Sequence, residues 1–227
     1  MPTLREVYDK IAEARYGLHH WTRFRRELDT LASKWQNGRL LNLGCGHGAD
    51  FLPFKDNFEL YGADFSAVEL ELAQKYALKF DFFAELVQAD VSRLPFADES
   101  FDWAVSIATY HHLDSREGRE QAFSELRRVL KPGGEALVTV WNRWQPWWGG
   151  GRGVNARWFR AREGSVPWQT KEGTLYRYYY FFTYPELEKL ARRAGLQVLK
   201  SFPESSYRFP IKYFSRNICL LVRKPQP

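Results

Sequence analysis

Apolar residues recur at helical spacing between residues 4 and 35, first Val7 and Ile11, then Phe24, Leu28 and Leu31, with Gly17-Leu18-His19-His20 interrupting them. That period predicts two amphipathic helices, one on each side of the break. From residue 39 the pattern shortens. Arg39-Leu40-Leu41-Asn42-Leu43 is a compact apolar run that stops at Gly44-Cys45-Gly46-His47-Gly48, a strand entering a tight loop. Further strands are predicted at 58–64, 85–90 and 101–107, the last nearly all apolar after Asp102, as suits a strand covered on both faces. Ser66 is placed to N-cap a helix reaching about Phe80, and another runs from Arg116 to Leu130, stopping before Lys131-Pro132-Gly133-Gly134. A fifth strand spans 135–141, a helix over 185–194 ends at Gly195, and strands near 196–202 and 218–222 follow. Strands and helices in alternation predict an α/β fold, a doubly wound, mostly parallel sheet with helices on both faces. Between Trp141 and Thr174 no period survives, and Gly149-Gly150-Gly151 marks a flexible kink.

The 227 residues suit one large domain, or one domain with a lobe. Apolar runs stay below the roughly 18 residues of a membrane span. The polar start, Met1-Pro2-Thr3-Leu4-Arg5-Glu6, lacks a signal-peptide core. Cys45 and Cys219 are too few for a disulfide framework or a four-ligand zinc site. A cytoplasmic chain with no membrane contact and no metal is expected. Charge then divides the sequence. Residues 1–140 carry 17 Lys/Arg against 22 Asp/Glu, whereas residues 141–227 carry 16 against 5. Six of the nine tryptophans lie between Trp141 and Trp168. A basic, aromatic rear part points to a polyanionic partner.

The loop after the first strand holds glycines at alternating positions, which lets backbone approach a ligand closely. Twenty residues after Gly44, Asp64 ends the second strand, where an acid can accept from both hydroxyls of a ribose. The third glycine arrives one residue early for G-x-G-x-x-G, which argues against a dinucleotide. Asp90 ends the third strand beside the same crevice, in reach of an exocyclic adenine amine.

Together with Leu94-Pro95-Phe96, Ser100-Phe101-Asp102 and Leu130-Lys131-Pro132-Gly133-Gly134, these motifs resemble, over about residues 38–141, the class I S-adenosylmethionine-dependent methyltransferases. The resemblance implies their Rossmann-like fold with a seven-stranded sheet, and S-adenosyl-L-methionine as cofactor. It implies a cofactor site made from Tyr8, Asn42, Gly44, Cys45, Gly46, Gly48, Asp64, Phe65, Asp90, Val91, Ile107 and Ala108. Asn42 departs from the family, which usually has an acid there. The organisation that follows is a helical cap (1–37), a cofactor-binding core (38–141), a basic Trp/Arg-rich insertion (142–174) and a part completing the sheet (175–227).

Outside the core, Tyr8-Asp9-Lys10-Ile11-Ala12, Arg15-Tyr16, Trp21, Ser106 to Leu113, Arg116-Glu117-Gly118-Arg119, Trp141, Val166-Pro167-Trp168, Tyr176 to Phe182, Glu186-Leu187, Ala194-Gly195 and Asn217 are similar to the eukaryal and archaeal tRNA methyltransferases that esterify the carboxymethyl group at C5 of the wobble uridine. Leu113, Tyr180 and Ile218 depart from that pattern, as does the spacing around Arg15. This resemblance implies a tRNA anticodon loop as substrate and a small zinc-binding activator protein as partner. A carboxylate is already ionised near pH 7 and needs alignment and cationic donors more than a strong base. Arg15, His111, His112 and Arg177 are the candidate donors, with Tyr178 and Tyr8 as hydroxyl donors or walls. Arg143, Trp144, Arg152, Arg157, Arg160 and Arg162 are candidates for phosphate contact and base stacking. Two rival readings are a small-molecule methyltransferase, for which an apolar lid is expected, and a non-catalytic RNA-binding subunit.

Overall fold

The computed structural model describes residues 2–18, 20–144 and 162–227. Helices α1 (Leu4–Leu18) and α2 (Arg25–Trp35) precede β1 (Gly38–Leu43) and β2 (Phe58–Asp64). Helix α3 (Ala67–Lys79) follows, capped by Ser66, whose hydroxyl accepts from the Glu69 N–H at 3.1 Å. Then come β3 (Ala84–Gln88), β4 (Phe101–Ile107), α4 (Arg116–Val129) and β5 (Leu130–Trp141). A hairpin of β6 (Glu163–Thr170) and β7 (Gly173–Tyr180), then α5 (Tyr184–Arg193), β8 (Gln197–Pro203) and β9 (Asn217–Arg223) complete the chain.

Seven strands form one sheet in the order β3-β2-β1-β4-β5-β9-β8. The first five are parallel, and β9 runs antiparallel to both of its neighbours. Alternation along the strands builds two cores. Leu41 and Leu43 of β1 join Ala104, Phe123, Leu126 and Leu187 on the α4 and α5 side. Leu40 joins Val105, Leu137, Leu28, Phe51 and Phe54 on the other. The strand order reverses between β1 and β4, so the C-terminal ends of β1, β2 and β4 border one crevice, the usual ligand position in such sheets.

Two elements differ from the sequence reading. Strand β5 starts at Leu130, because Lys131 to Gly134 form an irregularity across which the pairing jumps from Phe101–Leu130 to Trp103–Glu135. Lys131 anchors it through a 2.7 Å ion pair to Asp102, and at Gly134 a Cβ would lie 2.8 Å from the Asp102 carbonyl oxygen. The hairpin begins at Glu163, inside the stretch that showed no period. Aromatic residues occupy both of its faces, so no alternation of polarity marks it. Trp168 and Leu175 pack against Val7, Tyr8 and Ile11, which joins the hairpin to α1 beside the crevice. Among the described residues no helix is long and apolar enough to cross a membrane.

Candidate active site

The crevice opens into a cleft of about 290 Å³. Its floor is the loop after β1, where Gly44, Gly46 and Gly48 have φ of +70°, +50° and +87°. At Gly44 a Cβ would meet the Thr109 hydroxyl oxygen at 2.2 Å, so this close approach also requires glycine. Asp64 braces the loop. One carboxylate oxygen accepts from the Gly46 N–H at 2.8 Å and the other from the Ser66 N–H at 2.9 Å. Burial raises the Asp64 pKa, and these two amides oppose the rise. Each carboxylate oxygen still has a lone pair for a ligand hydroxyl.

Of the cofactor candidates, Tyr8, Gly44, Gly46, Asp64, Phe65, Asp90, Val91, Ile107 and Ala108 line this cleft. Asn42, Cys45 and Gly48 are not among its lining residues. Asn42 is fully buried on the Leu40 side of β1, and its amide makes no hydrogen bond among the described residues. The sequence reading missed Leu4, Arg5, Ala89, Thr109, Leu113 and Asp114 as lining residues. Leu4 and Arg5 share a helix face with Tyr8, and Thr109 follows the C-terminal end of β4; both signals were available. Ala108 has φ of +55°, a strained backbone fixed by its N–H donating to the Thr139 hydroxyl at 2.9 Å.

Helix α1 forms the cleft's outer wall and is fastened by three polar contacts. The Ser66 hydroxyl donates to Asp9 at 2.5 Å, Arg15 pairs with Glu69 at 2.7 Å, and the Tyr8 hydroxyl bonds to His112 at 2.6 Å. The direction of the last bond is determined. His112 Nδ1 lies 2.9 Å from the Tyr178 carbonyl oxygen, which can only accept, so Nδ1 carries the proton and Nε2 accepts from Tyr8. Burial, with the positive charges of Arg177 and Arg15, pushes His112 down to about 3. His111 stacks on Tyr179 and accepts from the Trp141 N–H at 3.3 Å, and burial beside His112 and Arg177 holds it well below the usual range. Both histidines are therefore neutral near pH 7. The cationic role expected of them from residue type is not available.

Arg15 lies in the cleft, its guanidinium 4.8 Å from the Tyr8 ring centroid. Arg177 and Tyr178 stand on β7 outside the lining. Arg177 packs over Trp168 and Tyr179, and the Tyr178 hydroxyl donates to Glu163 at 2.6 Å. Tyr178 instead acts through its carbonyl, which fixes the His112 tautomer. Among the RNA candidates, Arg143 lies over Trp144 at the end of β5, Trp144 is exposed, and Arg162 is exposed at the start of the hairpin. Arg152, Arg157 and Arg160 lie outside the described residues.

Glu69 is 1% exposed, and its second carboxylate oxygen has no hydrogen-bond partner among the described residues. Burial raises its pKa from 4.5 to about 7, against the pull of Arg15. The folded chain thus keeps a proton that the unfolded chain has released, so this group's contribution to stability falls as pH rises from about 4.5 through about 7. The shift corresponds to about 3 kcal/mol. Glu69→Gln is expected to remove this decline. Urea unfolding of both proteins at pH 5 and pH 8 checks it; parallel changes in the two would contradict it.

A parallel sheet ending in a glycine loop, with an acid at the tip of β2 and another after β3, defines the Rossmann-like methyltransferase class. Residues 41–138 match the family described as a methyltransferase domain. A protein of Encephalitozoon cuniculi, named provisionally as a methyltransferase, is 33% identical over 198 residues, 85% of each chain. The chain belongs to this methyltransferase family and depends on S-adenosylmethionine. It is also 34% identical to the tRNA (carboxymethyluridine(34)-5-O)-methyltransferase of Arabidopsis thaliana over 142 residues, 61% of this chain. It spans 32% of that relative's length. Among solved structures, the CcbJ methyltransferase of Streptomyces caelestis superposes with a TM-score of 0.76 at 18% identity, covering 99% of this chain and all of that one.

The residues fit the cofactor. The Gly44–Gly48 loop leaves room for a ligand at Gly46, where a Cβ would meet nothing closer than Glu69 at 3.6 Å. Asp64 would hold the ribose, Asp90 the adenine amine, and Phe65, Val91 and Ile107 would flank the base. When bound, S-adenosylmethionine supplies an electrophilic methyl group on a sulfonium.

Proposed function

We propose that this protein methylates the carboxylate of 5-carboxymethyluridine at the wobble position of a tRNA. The observation that carries this reading is the state of His112. Its Nε2 lone pair is engaged by the Tyr8 hydroxyl, and burial leaves the ring a very weak base. A neutral nucleophile would need its proton removed, whereas a carboxylate needs none. The other polar groups of the cleft fit the same chemistry. Asp64 is engaged by main-chain amides, Asp90 accepts from Ser92, and Asp114 is an exposed carboxylate at the mouth. Arg15, though paired with Glu69, and Arg5, 4.0 Å from Asp9, bring guanidinium groups to the lining that can help orient an incoming anion, and the fixed Tyr8–His112 pair supports the wall they stand on.

The names of the relatives in Arabidopsis and elsewhere support the choice of acceptor, and the basic, aromatic rear part supports an RNA. An ester differs from other methylated products in its lability. Bulk tRNA incubated with methyl-labelled cofactor is expected to gain label that mild alkali releases. Label retained through alkali would overturn the carboxylate assignment.

A further inference from the structure

A second hollow, of about 700 Å³, opens beneath the loop that joins β8 to β9, and the methyl-transfer site uses none of its residues. Arg208 and Arg216 from that loop and Arg23 from the α1–α2 connection line it, with Tyr207, Phe209 and Phe214 among them. Phe209 is 58% exposed and Phe214 44%, which leaves aromatic faces in water. The hollow contains one acid, Glu204. Its carboxylate accepts from the main-chain N–H groups of Arg216 at 3.2 Å and Asn217 at 2.7 Å, so it is already engaged.

The loop is held in place. The buried Asn142 side chain donates to the Tyr213 and Ser215 carbonyl oxygens, each at 2.8 Å, and the Ser205 N–H donates to Glu27 of α2. A lining fixed before binding loses little entropy on contact. The hollow also shares an end of the sheet with the active site. Asn217, part of its lining, pairs with Trp141 at the C-terminal end of β5. The Trp141 ring lies 4.4 Å from Tyr179, and Tyr179 lies 4.4 Å from His112 of the active cleft. Two rings, Trp141 and Tyr179, stand between the hollow's Asn217 and the cleft's His112.

Aromatic faces interleaved with guanidinium groups match one ligand chemistry, an unpaired nucleotide whose base stacks while its phosphate is neutralised. A simple anion would make no use of the rings, and an apolar peptide would make none of the arginines. We propose that this hollow is a second subsite for the RNA substrate, taking an unpaired nucleotide that flanks the one methylated. The proposal rests on the reading above that the acceptor lies in an RNA loop.

The test is binding of a fluorescently labelled anticodon stem-loop to the full chain at several salt concentrations. Phe209→Ala is expected to weaken binding roughly 5- to 100-fold by loss of stacking, with the salt dependence unchanged. Arg208→Ala is expected to weaken it and to reduce the slope of log K against log salt by about 0.7, one single-strand phosphate contact. Cofactor affinity measured on both variants reports that the fold is intact. Should Phe209→Ala lose cofactor affinity as well, the slope for Arg208→Ala decides. Binding and slope unchanged in the variants would overturn the subsite and leave the hollow to a protein partner, while methylation of the stem-loop by the parent chain would keep the substrate reading. A parent chain that neither binds nor methylates the stem-loop would overturn both.

Discussion

Replacing Asp64 by asparagine is expected to weaken S-adenosylmethionine binding by roughly 100-fold and to destabilise the ligand-free chain by about 1–3 kcal/mol. The carboxylate presents an acceptor to each of two main-chain N–H groups, at Gly46 and Ser66. An asparagine has a single oxygen, so one of those N–H groups would face an NH2 donor. A hydrogen bond to a charged acceptor contributes about 1.5–3 kcal/mol, and the glycine loop would lose its brace at the point where the ligand approaches. Loss of one of the two ribose contacts adds to this. A total near 3 kcal/mol is about 150-fold in affinity. Calorimetric titration with the cofactor measures it, and a change of less than about threefold would mean that Asp64 does not hold the ribose.

Gly44→Ala is expected to lower the unfolding free energy by about 2–6 kcal/mol. The new Cβ would stand 2.2 and 2.4 Å from the side-chain Oγ1 and Cγ2 of Thr109, at a φ of +70°. A left-handed non-glycine residue costs about 1–3 kcal/mol, and forcing extra volume into a packed region typically costs 1–3 kcal/mol more. Gly46→Ala provides the contrast. Its Cβ would meet only Glu69 at 3.6 Å, so the cost in stability is limited to about 1–3 kcal/mol of backbone strain, while the methyl would enter the cleft left open for the cofactor. Urea unfolding separates the two. Equal destabilisation by both substitutions would mean that Thr109 does not set the limit at Gly44.

The parallel core was legible because its signals are local. Each of β1, β2 and β4 is a short apolar run delivering a recognisable residue, Gly44, Asp64 or Ile107, to the same sheet end. The N-cap at Ser66 and the glycine after α5 were equally plain. What sequence could not convey was which atoms occupy one another. His111 and His112 read as candidate cations because histidine often is one. Their neutral state follows from burial and from the guanidinium groups of Arg177 and Arg15, which stand 65 to 97 positions away in the chain. Arg15 read as a free donor, yet it is paired with a buried glutamate on α3. The hairpin at Glu163 escaped notice because strands with aromatic residues on both faces carry no polarity pattern.

The cleft is expected to transfer a methyl group to an ionised carboxylate on a tRNA uridine. Single-turnover methyl transfer to two anticodon stem-loops, identical except for carboxymethyl or carbamoylmethyl at C5 of the wobble uridine, tests it directly. The amide carries no negative charge and no nucleophilic carboxylate oxygen, so transfer to the carboxymethyl substrate alone is expected. Equal transfer to both, or transfer to neither while the chain still binds its cofactor, would contradict it.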